Sequence, residues 1–449
     1  MIELTNSEKV YLILERKGIP YTLMMTLKID KELNIEVLKE SIKAIFSQYP
    51  ILTSNIQFQD KKYYLIENEF DTNQLFNVIT QNGDNSVESV LSKIMNTPFD
   101  VYNDPIVYIY YIKINIQYYL AIRWFHSLFD GRSALIIINQ ILNAYIMNMN
   151  NEIIDLPELK RISYLDIIRD YKHIRDGVKI GSRLKLTLLG LKILFKLRSK
   201  KGSGGFFNKE DKNGGKLLFK TLNLTENIMN RLNLLKQKYS LTDNDLVLSI
   251  IIQAYINFDL ENTDKKIRIL TVMDVRPRDE ELLLGDLYTA FYVELNLKEI
   301  KDEITLIKIV KTQMDKEKES LNAVANFYIG EVMDLTLEKL RRLTKDIFKL
   351  SNMQVTNVGN LDHIIELKRQ QKINILESSF FVPIKPGLSS VMSIIKSNNI
   401  ITIGLSYLEN VLSETDIDNF FNQILSVINK IGDRFGSEKK LEESAVPIP

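Results

Sequence analysis

Apolar residues along this chain recur at two alternating periods, one suited to helices and one to strands. After Asn34, the residues Leu38, Ile42, Ile45 and Tyr49 fall at helical spacing and Pro50 closes the run, so a helix capped by Asn34 is predicted. ILTSNIQFQ and KKYYLIE then read as short strands, and VYIYYIKI and IQYYLAIRWF as a strand pair with a tight turn near Asn115. HSLFDGRS comes directly after that pair, and Leu135, Ile138, Ile141, Leu142 and Tyr145 mark one face of the next helix. The local order is strand, short loop, helix.

The second half repeats the alternation. Thr242 is an N-cap for DNDLVLSIIIQAYINF, KIRILTVMDVRP reads as a strand ending in a Pro-marked turn, and TAFYVELNL as another strand. A helix is predicted from Glu303 to about Leu321, followed by sheet segments QVTNVGN, ESSFFVP, VMSIIKS and IITIGLSY. SETD at 413–416 is a capping box, with Ile417, Phe421, Ile424 and Ile428 on one helix face behind it. The stretch SKKGSGGFFNKEDKNGG, residues 199–215, has the composition of a linker.

The expected organisation is therefore an N-terminal lobe over 1–185, a basic helix and Gly-rich linker over 186–217, a C-terminal lobe over 218–435 and a flexible tail over 436–449. Both lobes are expected to be α/β (α+β), each a mixed sheet covered by helices. At 449 residues the chain is long enough for two such cores.

Composition narrows the function classes. Lys+Arg 58 against Asp+Glu 57 leaves a net charge of +1, so no global field draws the protein to nucleic acid. Without cysteine, thiol nucleophiles, disulfides and thiolate metal sites are excluded. Three scattered histidines give no metal site, and no metal is expected. No run of 18 apolar residues and no signal-peptide core occur, so a cytoplasmic protein without a spanning helix is the expectation. One segment carries dense charge: residues 178–201 join many Lys and Arg to Leu184, Leu188, Leu191 and Phe195 at helical spacing. The commoner arrangement packs such a stripe on the protein with the bases in water. The alternative lays it on an anionic membrane surface or at the entrance for a greasy substrate.

Chemistry concentrates at one histidine. His173 sits in the charged segment DIIRDYKHIRDG and His363 in a turn-like stretch, contexts that fit surface positions. His126 ends a strand and Gly131 opens an apolar helix five residues later, a junction where clefts form. Histidine is the side chain that can serve unperturbed as a neutral general base near pH 7. The bland reading of His126, Asp130 and Gly131 is a half-buried ring, a helix cap and a turn residue. A buried Asp130 would need a cationic partner.

The stretch Phe125-His126-Ser127-Leu128-Phe129-Asp130-Gly131 resembles the H-H-x-x-x-D-G signature of the condensation-domain superfamily. That superfamily includes chloramphenicol acetyltransferase, alcohol acetyltransferases, polyketide-associated acyltransferases and wax ester synthases. Here the second histidine matches and Phe125 stands at the first, which weakens the case for a peptide-forming condensation domain. Further landmarks run in order: Tyr49-Pro50-Ile51-Leu52, LTDNDLVLSIIIQAY, the Arg motif in MDVRPRDEELLLGDLY, and QVTNVGN, which is similar to the family's crossover segment.

The resemblance implies two chloramphenicol-acetyltransferase-like lobes in a V with an interlobe tunnel, and His126 as general base in acyl transfer from a thioester to an alcohol or amine. It also implies an Asp130 that orders the loop through an ion pair with Arg276, or with Arg278 as fallback. Asn357 is a candidate for a polar or oxyanion role, with a turn or strand-end residue as the equal alternative. The co-substrate would be a coenzyme A or phosphopantetheine thioester, with no permanently bound cofactor. The acceptor would be a small or lipid-like molecule, an acyl carrier protein a possible partner, and the protein a monomer. The alternatives are a stand-alone condensation enzyme forming amides between carrier-bound substrates, and a catalytically inactive binding homologue.

Overall fold

The structure is a computed structural model that describes residues 1–14, 21–69, 71–83, 86–98, 100–174, 178–198, 207, 215–259, 266–277, 282–333, 336–339, 341–342, 350–364, 373–385 and 388–444, side chains at 196–198, 323 and 435–444 excepted. Eleven strands, numbered along the chain, build the two main sheets. They are β1 (Thr22–Ile29), β2 (Phe76–Gln81), β3 (Val107–Ile114), β4 (Gln117–Phe125), β5 (Leu217–Leu224), β6 (Lys266–Asp274), β7 (Tyr288–Asn296), β8 (Met353–Asn360), β9 (Ile375–Phe381), β10 (Ser390–Ser397) and β11 (Ile400–Leu408). The principal helices are α1 (Asn6–Ile13), α2 (Ile35–Gln48), α3 (Gly131–Met149), α4 (Arg183–Arg198), α5 (Asp243–Phe258), α6 (Glu303–Glu319), α7 (Asn322–Val332) and α8 (Glu414–Ser444).

The first sheet has the order β9-β1-β4-β3-β2 and the second β7-β6-β8-β10-β11-β5. Both are mixed: β2–β3, β6–β8 and β8–β10 are parallel and the remaining pairs antiparallel. The β3–β4 hairpin closes through Asn115, whose φ of 53° is the left-handed conformation that Asn tolerates. Strand β4 is the central strand of its sheet, and every residue from Tyr119 to Phe125 is buried.

The strand that crosses between the lobes is β9. It lies between β8 and β10 in sequence yet pairs with β1 of the first sheet, Phe381 opposite Met24. QVTNVGN, expected to be the crossover, is instead an interior strand of the second sheet, and only its far end approaches α3. A large apolar core fills each lobe, and a smaller one joins Ile162, Tyr164, Leu186, Leu283, Leu287 and Val324 from both halves of the chain.

Within the segment 436–449, read as a flexible tail, α8 runs as helix to Ser444, and 445–449 lie outside the described residues. One expectation changes. The stripe Leu184, Leu188, Leu191 and Phe195 of α4 does not pack on the protein. The opposite face does, with Leu186 buried and Gly190 so close to α7 that a Cβ there would meet Ala325 O at 2.5 Å. The glycine, not the leucines, decides which side can approach a neighbouring helix.

Candidate active site

Strand β4 ends at Phe125, and its last hydrogen bonds fix the loop that leads into α3. Phe125 N donates to Ile106 O at 2.8 Å and His126 N to Tyr21 O at 3.1 Å. Trp124 Nε1 donates to Phe129 O at 2.7 Å, folding loop 126–129 back over the strand end. Asp130 then caps α3, its Oδ1 accepting from Ser133 N at 2.9 Å and Ser133 Oγ at 3.0 Å. Gly131 permits close approach: a Cβ there would stand 3.2 Å from Val358 of β8 and Phe380 of β9.

Asp130 is buried and meets Arg276 in a fork, Nη1 donating to Oδ2 and Nη2 to Oδ1, both at 2.8 Å. Leu287 N adds a fifth donor to this carboxylate at 3.0 Å. Burial alone would raise the Asp130 pKa; the Arg276 charge and the hydrogen bonds from Arg276, Ser133 and Leu287 outweigh it and hold the carboxyl below its ordinary value. Arg276 also donates to Leu283 O at 3.1 Å, Asp274 Oδ1 at 3.0 Å and Ser133 Oγ at 2.8 Å. One guanidinium thus ties the start of α3 to the chain between β6 and β7, across the two halves. Gly285 completes the knot. Its carbonyl accepts from Asp130 N at 3.1 Å and its N donates to Ser133 Oγ at 3.1 Å. A Cβ at Gly285 would lie 2.2 Å from Ile162 O. Arg278, the fallback partner, lies outside the described residues.

His126 is covered. Its residue exposure is 6%, and its ring stacks on Tyr11 with centroids 4.1 Å apart, with Tyr21 at 5.8 Å and Tyr288 at 5.7 Å. Nδ1 faces its own backbone carbonyl and Asp286 Oδ1, the latter at 3.5 Å, without a well-formed hydrogen bond to either. Its own carbonyl, which can only accept, favours the proton on Nδ1 and the lone pair on Nε2. Burial lowers the imidazole pKa to about 3, and the nearby Lys385 charge pushes the same way, so the ring is neutral at pH 7.

Four residues that sequence reasoning passed over surround this ring. Asp286 is buried, and burial together with the Asp130 charge raises its carboxyl well above the ordinary range. Tyr11 donates to its Oδ2 at 2.8 Å and shares a 2.9 Å hydrogen bond with Tyr288. Lys385, just beyond β9, is buried too; burial lowers its ammonium to about 8 against the opposing pull of Asp286. Asp286 and Tyr288 lie ten and twelve residues after Arg276, in the stretch MDVRPRDEELLLGDLY, the one local signal available. Tyr11 and Lys385 arrive by tertiary folding alone.

The remaining candidates lie elsewhere. Asn357 Nδ2 donates to Asn244 Oδ1 at 2.7 Å and its Oδ1 accepts from Gly359 N at 2.7 Å, so its hydrogen bonds serve the second lobe rather than His126. His173 and His363 are exposed.

Comparison with known proteins gives a consistent picture. Residues 10–180 match the family model described as condensation domain, and residues 284–429 the one described as WS/DGAT C-terminal domain. No curated protein matches by sequence. Polyketide synthase associated protein 5 from Mycobacterium tuberculosis superposes with a TM-score of 0.65 at 13% identity, covering 96% of this chain and 98% of that one. The trichothecene 15-O-acetyltransferase of Fusarium sporotrichioides gives 0.70 at 12% identity, with 96% and 94% covered. A mutant starter condensation domain of rhizomide synthetase, in complex with C8-CoA and Leu-SNAC, gives 0.67 at 9% identity, with 96% and 94% covered. At these identities the likeness establishes the two-lobed fold.

Proposed function

Since the chain belongs to the superfamily that unites condensation domains with chloramphenicol-acetyltransferase-like acyltransferases, we propose that it moves an acyl group from a coenzyme A or carrier-protein thioester to an alcohol or amine, with His126 as general base. The observation carrying this reading is the pairing of a neutral, buried imidazole with the Asp130–Arg276 fork four residues away. Asp130 is fully engaged and charged, so its part is to hold the loop; the proton acceptor is His126 Nε2.

The acceptor oxygen or nitrogen attacks the thioester carbonyl carbon as its proton passes to Nε2. The tetrahedral oxyanion then collapses, the C–S bond breaks, and the proton returns to the leaving thiolate. Lys385 is close enough to bias both His126 and Asp286 and supplies positive charge on that side of the site. Supporting the thioester class is the relative crystallised with C8-CoA and Leu-SNAC.

That cover over His126, together with Phe125 at the first motif position, favours a second reading, a binding homologue without chemistry. Thiol release from acyl-CoA and acyl-carrier thioesters, with panels of alcohols and amines, separates the two. Acceptor-dependent release with a matching ester or amide product supports the acyltransferase; a wild type inert to the whole panel supports the binding protein.

A further inference from the structure

Helix α4 turns four large apolar side chains to solvent. Leu184 is 69% exposed, Leu188 61%, Leu191 39% and Phe195 70%. At 100° per residue they fall within one narrow strip of the helix surface. A water-facing strip of this size on one element is a cost that a soluble helix ordinarily avoids, and it marks an interaction surface.

The charges around the strip say what it meets. Between Lys179 and Lys201 the sequence holds eight Lys and Arg and no Asp or Glu, in a protein whose net charge is only +1. Lys185 and Lys192 flank the strip on one side and Arg183 lies on the other; all three are exposed, and among the described residues no ion pair engages them. The buried face is fully used, with Leu186 and Gly190 against α7. The helix is therefore anchored to the protein on one side and offers leucine, phenylalanine and cations on the other. A partner surface of matching chemistry is flat, apolar beneath and negatively charged on top.

We infer that α4 docks the protein on an anionic lipid bilayer, with Leu184, Leu188, Leu191 and Phe195 entering the headgroup–acyl boundary and the flanking cations meeting lipid phosphates. The helix lies on the surface and does not cross: among the described residues none is long and apolar enough to span a membrane. Docking there also sets the depth of the site. Helix α7, on which α4 rests, carries Phe327, whose ring meets Tyr288 edge-on at 6.2 Å, and Tyr288 packs beside His126. Helix α4, helix α7 with Phe327, and Tyr288 thus stand in turn between the lipid surface and the imidazole. The docking itself is independent of any chemistry at His126.

Flotation of the full chain with phosphatidylcholine vesicles, with and without phosphatidylglycerol, tests the inference. Wild type should float with the anionic vesicles, release as salt is raised, and float poorly with phosphatidylcholine alone. Leu188→Asp/Phe195→Asp should weaken binding at least tenfold with an unchanged melting temperature, since both side chains are already exposed. Lys185→Glu/Lys192→Glu should weaken it roughly fivefold or more per charge. Wild type that stays behind with anionic vesicles, or a Leu188→Asp/Phe195→Asp variant that floats like wild type, overturns the inference. So does sedimentation showing that the strip instead joins two copies of the chain.

Discussion

Asp286 Oδ1 stands 3.5 Å from His126 Nδ1, and both atoms are buried without a well-formed hydrogen bond. Two polar atoms left facing each other at a strand end are costly to keep, and the cost makes sense where the ring must be held for chemistry.

The sign of that cost is open to measurement through Asp286. Its folded pKa is raised above the unfolded value of 3.8, so its contribution favours folding at acid pH and is lost as pH climbs through the folded pKa. Asp286→Asn should therefore melt a few degrees higher than wild type at pH 7, with the difference shrinking towards pH 4, while acyl transfer falls about tenfold or more. A variant that is less stable at pH 7 would show that Asp286 is a structural acid.

The imidazole gives a second pH signature. Because His126 keeps its neutral form down to about pH 3, kcat/KM should stay nearly level from pH 7 to pH 5. An ordinary histidine of pKa about 6.5 would lose roughly twenty-five-fold over that span. An acid limb centred near 6.5 contradicts the buried-base assignment. On the alkaline side, loss of charge from Lys385 near pH 8 should lower the rate in wild type and leave no such limb in Lys385→Gln.

Removing one half of the fork should cost more than removing both. Asp130→Ala leaves the Arg276 guanidinium buried with Asp274 as its remaining carboxylate and should destabilise by about 3 kcal/mol, measured by urea unfolding. Asp130→Ala/Arg276→Met should recover part of that loss. If the double variant is weaker than the sum of its parts, the two residues do not act as an isolated charge couple.

Gly285→Ala tests the knot without touching a charge. The added Cβ would fall 2.2 Å from the Ile162 carbonyl, and the backbone shift needed should cost roughly 2 kcal/mol and disturb the Asp130 loop. Thermal melts and acyl transfer should both decline; an unchanged pair of readings would mean that the segment yields freely.

Much of the fold was legible in the sequence, for reasons that particular residues make plain. The Asn34 and Thr242 caps, the Asn115 turn and the Ser413 capping box act within a few residues, and the structure places each where the pattern puts it. The partnership of Asp130 with Arg276 was reached through family likeness, since 146 residues separate them and no periodicity links them. Strand β9 could be seen as a strand, but its partner could not, because alternation says which face is buried and nothing about which sheet receives it. The exposed face of α4 goes against the commoner of its two expected arrangements for a similar reason: leucines count as core by default, and the single glycine that permits close helix packing carries no weight in a hydrophobic pattern. Tyr11 and Lys385 reach His126 from opposite ends of the chain, so they came to light only with the fold.

The most direct test replaces the base by an isostere and measures thiol release from acyl-CoA in the presence of an accepted alcohol or amine. His126→Gln fills much of the same space under Tyr11, so its fold should persist while the acceptor-dependent rate drops about a hundredfold to ten-thousandfold. Equal rates in wild type and His126→Gln, with both proteins folded, would show that this imidazole moves no proton.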